Sequence, residues 1–396
     1  MSTKISVSTA TIIGMNAMIG AGIFSITSLL ASTVGPAGIL TYLFAFTAVW
    51  FMAKSIARTA YLFPEEGGFY VYAKQFGGHH FGLLAAAGYL FGLLTAAGLL
   101  CGFAGDYLHE VIPGLSSSTL GLTTFFALVV LNLLGAKLSE IGQYVLIILT
   151  VFPLITSTIM CLTKIDLTNL TPFMPYGLPS VLEGTSVAIF GLFGFECTTS
   201  LFNIVQDPEK NVPRALTYSL LIVGIIYLFF IGSIILSIPL SVFTANPSIT
   251  IPQALAILFP GNPVIILCIT VSILSAIIGT IHSMIWGGSE LILSFIKHIK
   301  IAGAQTAIKT GSITQRHCVL LCGAIILTAY LGISNKNIFF CLTNIGLIFA
   351  YITALLPLLF IKSEWRSGQN ITTILGLITA CTIFVIAVMN LVENIA

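Results

Sequence analysis

Ile13-Gly-Met-Asn-Ala-Met-Ile-Gly-Ala-Gly-Ile-Phe24 is the stretch on which the fold turns. It lies in the middle of an apolar segment over 7–34. As one straight helix that segment would measure about 42 Å, well beyond a hydrocarbon core of roughly 30 Å. Tilt absorbs part of the excess. A break at Ile19-Gly20-Ala21-Gly22-Ile23 is the better account. Gly inside a helix costs about 1 kcal/mol against Ala, and two of them concentrate the weakness.

Ten further apolar segments follow, over 37–62, 81–108, 118–136, 139–163, 181–205, 214–240, 262–296, 317–333, 337–361 and 370–392. With so many spans the backbone must be helical, because barrel strands alternate and are much less apolar. The sixth segment repeats the interruption as Phe190-Gly191-Leu192-Phe193-Gly194-Phe195. Segments one and six open two five-helix halves, and an odd number of spans per half inverts the second. Gly-interrupted segments at matching positions of two halves point to a binding site. Glycine also lets membrane helices pack closely, and segment three shows that use with Gly88, Gly92, Gly98 and Gly102. The expected fold class is an all-α membrane protein of about 11 transmembrane helices, a 5+5 inverted repeat with broken helices 1 and 6 plus one extra helix. The chain reads as one domain over 1–396, with repeats over about 7–163 and 181–361 and the extra helix over about 370–392.

Composition agrees. Only 7% of the residues are charged and 57% are hydrophobic, against roughly 25% charged in soluble proteins. The net charge of +2 says nothing of nucleic acid, and none is expected as a partner; lipid is. With the N-terminus in the cytoplasm, Lys4, Lys54, Arg58, Lys74, Lys137, Lys210, Arg214, Lys297, Lys300, Lys309, Arg316, Lys362 and Arg366 fall inside, and only Lys164 and Lys336 outside. The positive-inside rule supports that orientation and places the C-terminus outside. The first segment is too long for a signal peptide and leads straight into a second span. Short termini point to a prokaryotic inner membrane. All eight cysteines lie in apolar segments and read as packing residues; no metal site is expected, Cys318 and Cys322 lacking His or carboxylate partners.

Two polar side chains stand out within the spans. Glu196 lies well inside segment six, where an acidic group costs about 2.5–3.5 kcal/mol on insertion scales. It faces a cavity, a partner or a proton, or it caps unwound backbone. His282 on segment eight is either an interhelical hydrogen-bonding residue or a protonatable cavity group. Both are coupling candidates. Asp106, Glu110, Glu140, Glu183 and Glu290 read as interfacial, and His79-His80 as part of the first cytoplasmic loop. No His-Glu-x-x-His, Gly-x-Ser-x-Gly or P-loop occurs, so no enzymatic role and no cofactor is expected.

The break of segment one resembles the opening signature of the amino acid–polyamine–organocation (APC) transporter family. Gly35-Pro36-Ala37-Gly38, Phe63-Pro-Glu-Glu-Gly-Gly-Phe-Tyr-Val-Tyr72, Gly194-Phe-Glu196 and Asp207-Pro-Glu-Lys-Asn-Val-Pro-Arg214 follow in the family's order and places. The likeness is nearest to basic amino acid and polyamine exchangers. It implies the LeuT-type fold, alternating access, and an amino acid or amine site between the breaks. Those positions are Met18, Ile19, Gly20, Ala21, Gly22, Ile23, Phe190, Gly191 and Phe193. Freed N–H groups near Gly20–Gly22 suit a carboxylate. The carbonyls of Met18, Phe190 and Phe193 suit an ammonium, and Phe190 falls where related exchangers carry a gating aromatic. Stretch 244–260 resembles the family's extracellular lid.

The chain also departs from the family. It has eleven helices where the family has twelve, which leaves dimerisation open. Ser289–His298 does not match the loop usual after helix eight, and helix five carries no buried Lys. Coupling to H+ is open, as is coupling to Na+ through Ser275, Thr280 or Ser283. Exchange, ion-coupled symport, and a channel or sensor built on the same frame are the functional readings.

Overall fold

A computed structural model describes residues 4–246, 249–298, 310–311, 313–333, 335–361 and 367–395. Lys300, Lys309, Lys362 and Arg366, used above for orientation, lie outside them, as does the side chain of Glu110. The helices are α1 (Val7–Met18), α2 (Ala21–Thr33), α3 (Gly38–Leu62), α4 (Phe69–Val111), α5 (Ser117–Leu133), α6 (Ala136–Leu162) and α7 (Gly177–Phe190). Then come α8 (Pro208–Ser237), α9 (Leu240–Ala245), α10 (Ile251–Leu258), α11 (Pro263–His298), α12 (Gln315–Gly332), α13 (Lys336–Leu355) and α14 (Ser367–Ile395). Among the described residues nine spans are long and apolar enough to cross a bilayer, one of them running from α7 through the turn after it to Leu201. The pair α1 and α2, bent by 44°, makes a tenth, and α5 is a shorter apolar helix in the fourth predicted segment.

The predicted first span is broken where expected. Ser6 caps α1, accepting from the Thr9 N–H at 3.2 Å. The helix ends at Met18, and extended backbone at Gly20 starts α2 in a new direction. The sixth span is broken too. Helix α7 stops at Phe190, a turn follows, and a 3-10 helix over Phe195–Leu201 completes the crossing.

Two boundaries differ from the sequence reading. The first cytoplasmic loop is partly helical: α4 begins at Phe69 and is kinked at Gly78, whose φ of +74° suits glycine. The reason is packing. Phe69 and Tyr72 are fully buried, and the Phe69 ring lies 4.5 Å from Tyr89 and 5.8 Å from Tyr351. Helix α8 begins at Pro208, six residues early, since Pro at the first helical position has the right φ and no N–H to lose.

Helix α4 crosses α13 at backbone contact. A Cβ built on Gly346 would lie 2.6 Å from the Gly88 carbonyl oxygen and 2.7 Å from Gly92 N. These are the small residues read from segment three, met by a glycine on a distant helix. In the lid stretch, α10 carries a capping box of Thr250 and Gln253 and packs on α2 and α11.

Replacing Gly346 with Ala should push α4 and α13 apart and cost about 1–3 kcal/mol, the usual range for overpacking. Gly232→Ala on α8 is the control, because nothing lies within 4 Å of its Cβ position. Thermal unfolding in detergent should show a clear loss for the first and none for the second.

Candidate substrate site between the broken helices

At the first break, Ile19 and Gly20 leave the helical path and strand polar groups in the protein interior. Tyr227 on α8 donates its hydroxyl to the Met18 carbonyl at 3.0 Å, and Gly20 N–H donates to the same oxygen at 3.0 Å. Both lone pairs of that carbonyl are therefore engaged. Thr280 on α11 lies 2.7 Å from the Asn16 carbonyl, 3.0 Å from that of Ile19 and 2.9 Å from that of Ala276. One hydroxyl proton serves three oxygens, so three carbonyl dipoles converge there. Ala21, Gly22 and Ile23 form the first turn of α2, and Gly20 gives that turn no side-chain cap.

At the second break, Gly194 has φ +116°, a left-handed conformation that glycine adopts without penalty. Its Cβ position collides with the Ala17 carbonyl and lies 2.8 Å from Met18 N. A Cβ on Gly22 would stand 3.3 Å from Gly191 Cα. The two breaks thus cross at backbone contact. Gly194 N–H donates to Glu196 Oε2 at 2.9 Å. Glu196 is fully buried, and its Oε1 has no hydrogen-bond partner. The Tyr351 hydroxyl interacts with this carboxyl group but is itself without a hydrogen bond.

A cavity of about 40 Å³ lies at the crossing. Met18, Gly20, Gly22, Phe190, Gly191, Phe193 and Glu196 line it. Ile19, Ala21 and Ile23 do not; they are buried nearby. Sequence reasoning missed the far walls: Ala96 and Leu100 on α4, Met284 on α11, and Thr343 and Leu347 on α13. Thr280, read only as an ion candidate, also lines it. Such a cavity has room for a few waters and not for an amino acid, so this conformation is closed around the site.

Phe190 separates that cavity from a vestibule of about 470 Å³ between α2, α4, α7, α13 and α14. Its ring meets Phe340 edge-to-face at 4.6 Å. The other end is latched. Glu66 pairs with Lys297 at 2.7 Å, and Asn203 donates to Glu290 at 2.8 Å. Ile5 N–H donates to the Ile204 carbonyl and Gln206 N–H to that of Ile5, at 2.8 and 2.9 Å. Glu290, read as interfacial, is buried inside this latch.

His282 does not line the cavity. Asn132 Nδ2 donates to the Leu128 carbonyl at 2.9 Å and to His282 Nδ1 at 2.8 Å. Nδ1 is then an acceptor, and Nε2–H donates to the Ser139 carbonyl at 3.2 Å. These bonds specify a neutral ring that ties α11 to α5 and to α6. Ser275 bonds the Leu146 carbonyl and Ser283 the Gln143 side chain, both on α6, so of the three hydroxyls proposed for an ion only Thr280 meets the first break. Among the described residues no cluster of His, Cys, Asp and Glu could hold a metal.

Inverted halves and two broken helices that cross at a cavity define the LeuT-type fold. MhsT, solved in complex with L-phenylalanine, has this fold in common: the TM-score is 0.68 at 15% identity, over 97% of this chain and 98% of MhsT. The chain belongs to the amino acid permease family, which it matches over residues 9–392. It is 24% identical to the branched-chain amino acid permease BcaP of Bacillus subtilis, over 55% of this chain and 51% of the relative. It is 25% identical to the gamma-aminobutyric acid permease of Escherichia coli, over 58% and 52%. The matches span about half the length of these curated relatives.

Gly194→Ala should be the costliest single-methyl change in the site. It forces a left-handed alanine, at about 1–2 kcal/mol, and overpacks a backbone contact, at about 1–3 kcal/mol. Gly22→Ala meets one neighbour at 3.3 Å and should cost less. Comparing the melting temperatures of the two purified variants tests this order.

Proposed function

We propose that the chain is a secondary carrier of α-amino acids that works by alternating access. The carrying observation is the crossing of the two breaks at a closed cavity, with a vestibule beyond Phe190 on one side and a latch on the other. Parting Phe190 from Phe340 opens the site one way. Releasing Glu66–Lys297 and Asn203–Glu290 opens it the other way. The positive-inside pattern makes the latched side cytoplasmic, in an inner or plasma membrane with the N-terminus inside and the C-terminus outside.

The substrate carboxylate faces the uncapped N–H groups at the start of α2, the positive end of that helix. The ammonium lies toward Glu196 and the carbonyls of Phe190 and Phe193. The Met18 carbonyl is left out of this role, its lone pairs being held by Gly20 and Tyr227. Ala96, Leu100, Met284 and Leu347 face the substrate side chain, which favours a small neutral one. The named substrates of the two permeases described above are amino acids as well.

Glu196 is the coupling group in this reading. A buried carboxyl with one unpaired oxygen and no cation is incomplete. A substrate ammonium or a proton completes it, and exchange of the two couples transport to H+. His282, locked between helices, takes a structural role.

Counterflow into liposomes, with unlabelled amino acid trapped inside, tests the carrier reading. Labelled neutral amino acids should accumulate. Gly22→Leu should insert but lose at least about tenfold in binding, because its side chain fills the carboxylate end; binding at wild-type strength would remove this site assignment.

Glu196→Gln fixes the neutral form. Counterflow should persist in that variant while its dependence on pH flattens. If the wild-type pH profile and rate survive the change, Glu196 does no more than cap Gly194.

A further inference from the structure

A second, larger cleft among the described residues lies away from the crossing of the breaks. It measures about 710 Å³ and is bounded by α3, α8 and α14. We propose that it binds the phosphorylated headgroup of an anionic membrane lipid.

Two helical stripes build it. On α3, Trp50, Lys54 and Arg58 recur every four residues, and on α8 so do Lys210, Arg214 and Tyr218. Residues four apart share a helix face. The helices are antiparallel neighbours, so the stripes run in opposite directions. Their aromatic ends, Trp50 and Tyr218, lie deeper along the helices, and their cations lie toward the latched end. That is the order of a lipid at a membrane surface, with acyl chains against rings and phosphate among cations. Lys54 Nζ stands 5.6 Å from the Trp50 ring centroid, which places the ammonium where the aromatic ring meets the cleft. The first turns of α14 close the third side with the hydroxyls of Thr372 and Thr373.

Among the described residues no carboxylate lines the cleft. Positive-inside residues alone need only lie on the correct side of the membrane. They have no reason to converge from two helices on one cleft, with a ring at the deep end of each stripe. Like charges brought together repel, and an anion offsets that repulsion. Basic pockets between membrane helices on the cytoplasmic side are suited to phosphorylated lipid headgroups. The inference is independent of the transport reading, since it concerns a different surface.

The test uses the full chain, delipidated in detergent. Short-chain phosphatidylglycerol, phosphatidylcholine and inorganic phosphate are each titrated, with binding read by native mass spectrometry and by melting temperature. Phosphatidylglycerol should bind at least about tenfold more tightly than phosphatidylcholine and raise the melting temperature. The preference should weaken with salt, and in Lys54→Gln/Arg214→Gln it should fall by about tenfold or more. The single variant Lys210→Gln, exposed at the rim, should lose part of it and covers the case of a double variant that does not fold. Equal binding of the two lipids, or an unchanged preference in folded Lys210→Gln and Lys54→Gln, would overturn the proposal. Displacement of phosphatidylglycerol by millimolar inorganic phosphate would overturn the lipid assignment in favour of a free-phosphate site.

Discussion

The contact between Gly194 and the backbone of Ala17 and Met18 is the constraint from which the rest of the site follows. Two segments can cross that closely only where one of them carries no side chain at the contact, and both leave the helical path beside it. Leaving it frees N–H and C=O groups in a region without water, where each unmet group costs free energy. The surrounding helices are arranged to meet them. Tyr227 comes from α8, Thr280 from α11, and Glu196 from the second break itself. Of the groups left over, Gly22 in the first turn of α2 and Glu196, with one oxygen unpaired, line the same cavity. In the proposed function, these leftover groups are what a zwitterionic substrate meets.

How much of this could be read from the sequence follows from how local each signal is. The first break was legible because a helix over 7–34 is too long for a bilayer and carries its glycines in the middle. The second was legible through its match to the first. The partners of the freed groups were not. Tyr227 is one aromatic among many in apolar segments, and its hydroxyl finds Met18 only once α8 is folded beside α1. Met18 therefore looked available for an ammonium when its carbonyl is engaged twice. His282 stood out as an ionisable residue in a span, but its role is set by Asn132 and Ser139, about 150 residues away. The helix at the start of α4 was hidden for a related reason. Its glycines and histidines read as loop, while the burial of Phe69 and Tyr72 depends on rings from Tyr89 and Tyr351.

The two ends of the molecule are closed by different kinds of force. Toward the vestibule the barrier is one aromatic contact, Phe190 on Phe340. Such pairs contribute about 0.5–1.5 kcal/mol beyond their burial, so a rotamer change opens that side cheaply. The latched end combines an ion pair, a buried amide–carboxylate hydrogen bond and two backbone bonds from the N-terminal segment. Opening it requires α1 and the 3-10 segment after the second break to move together, because Ile5 binds one to the other. In the proposed carrier, this asymmetry makes the latched end the harder of the two to open.

In the proposed mechanism Glu196 links that asymmetry to coupling. It sits on the 3-10 segment that the latch holds, and its free oxygen faces the cavity that Phe190 guards. Occupancy of that oxygen changes the charge at the crossing, and the crossing is the one place where both breaks touch. A group there has leverage on both gates, whereas a carboxylate at a helix end would have it on one. The proposed coupling role gives the burial of Glu196 a reason: an acid placed where its partner arrives only with the substrate or a proton makes the closed state depend on what is bound.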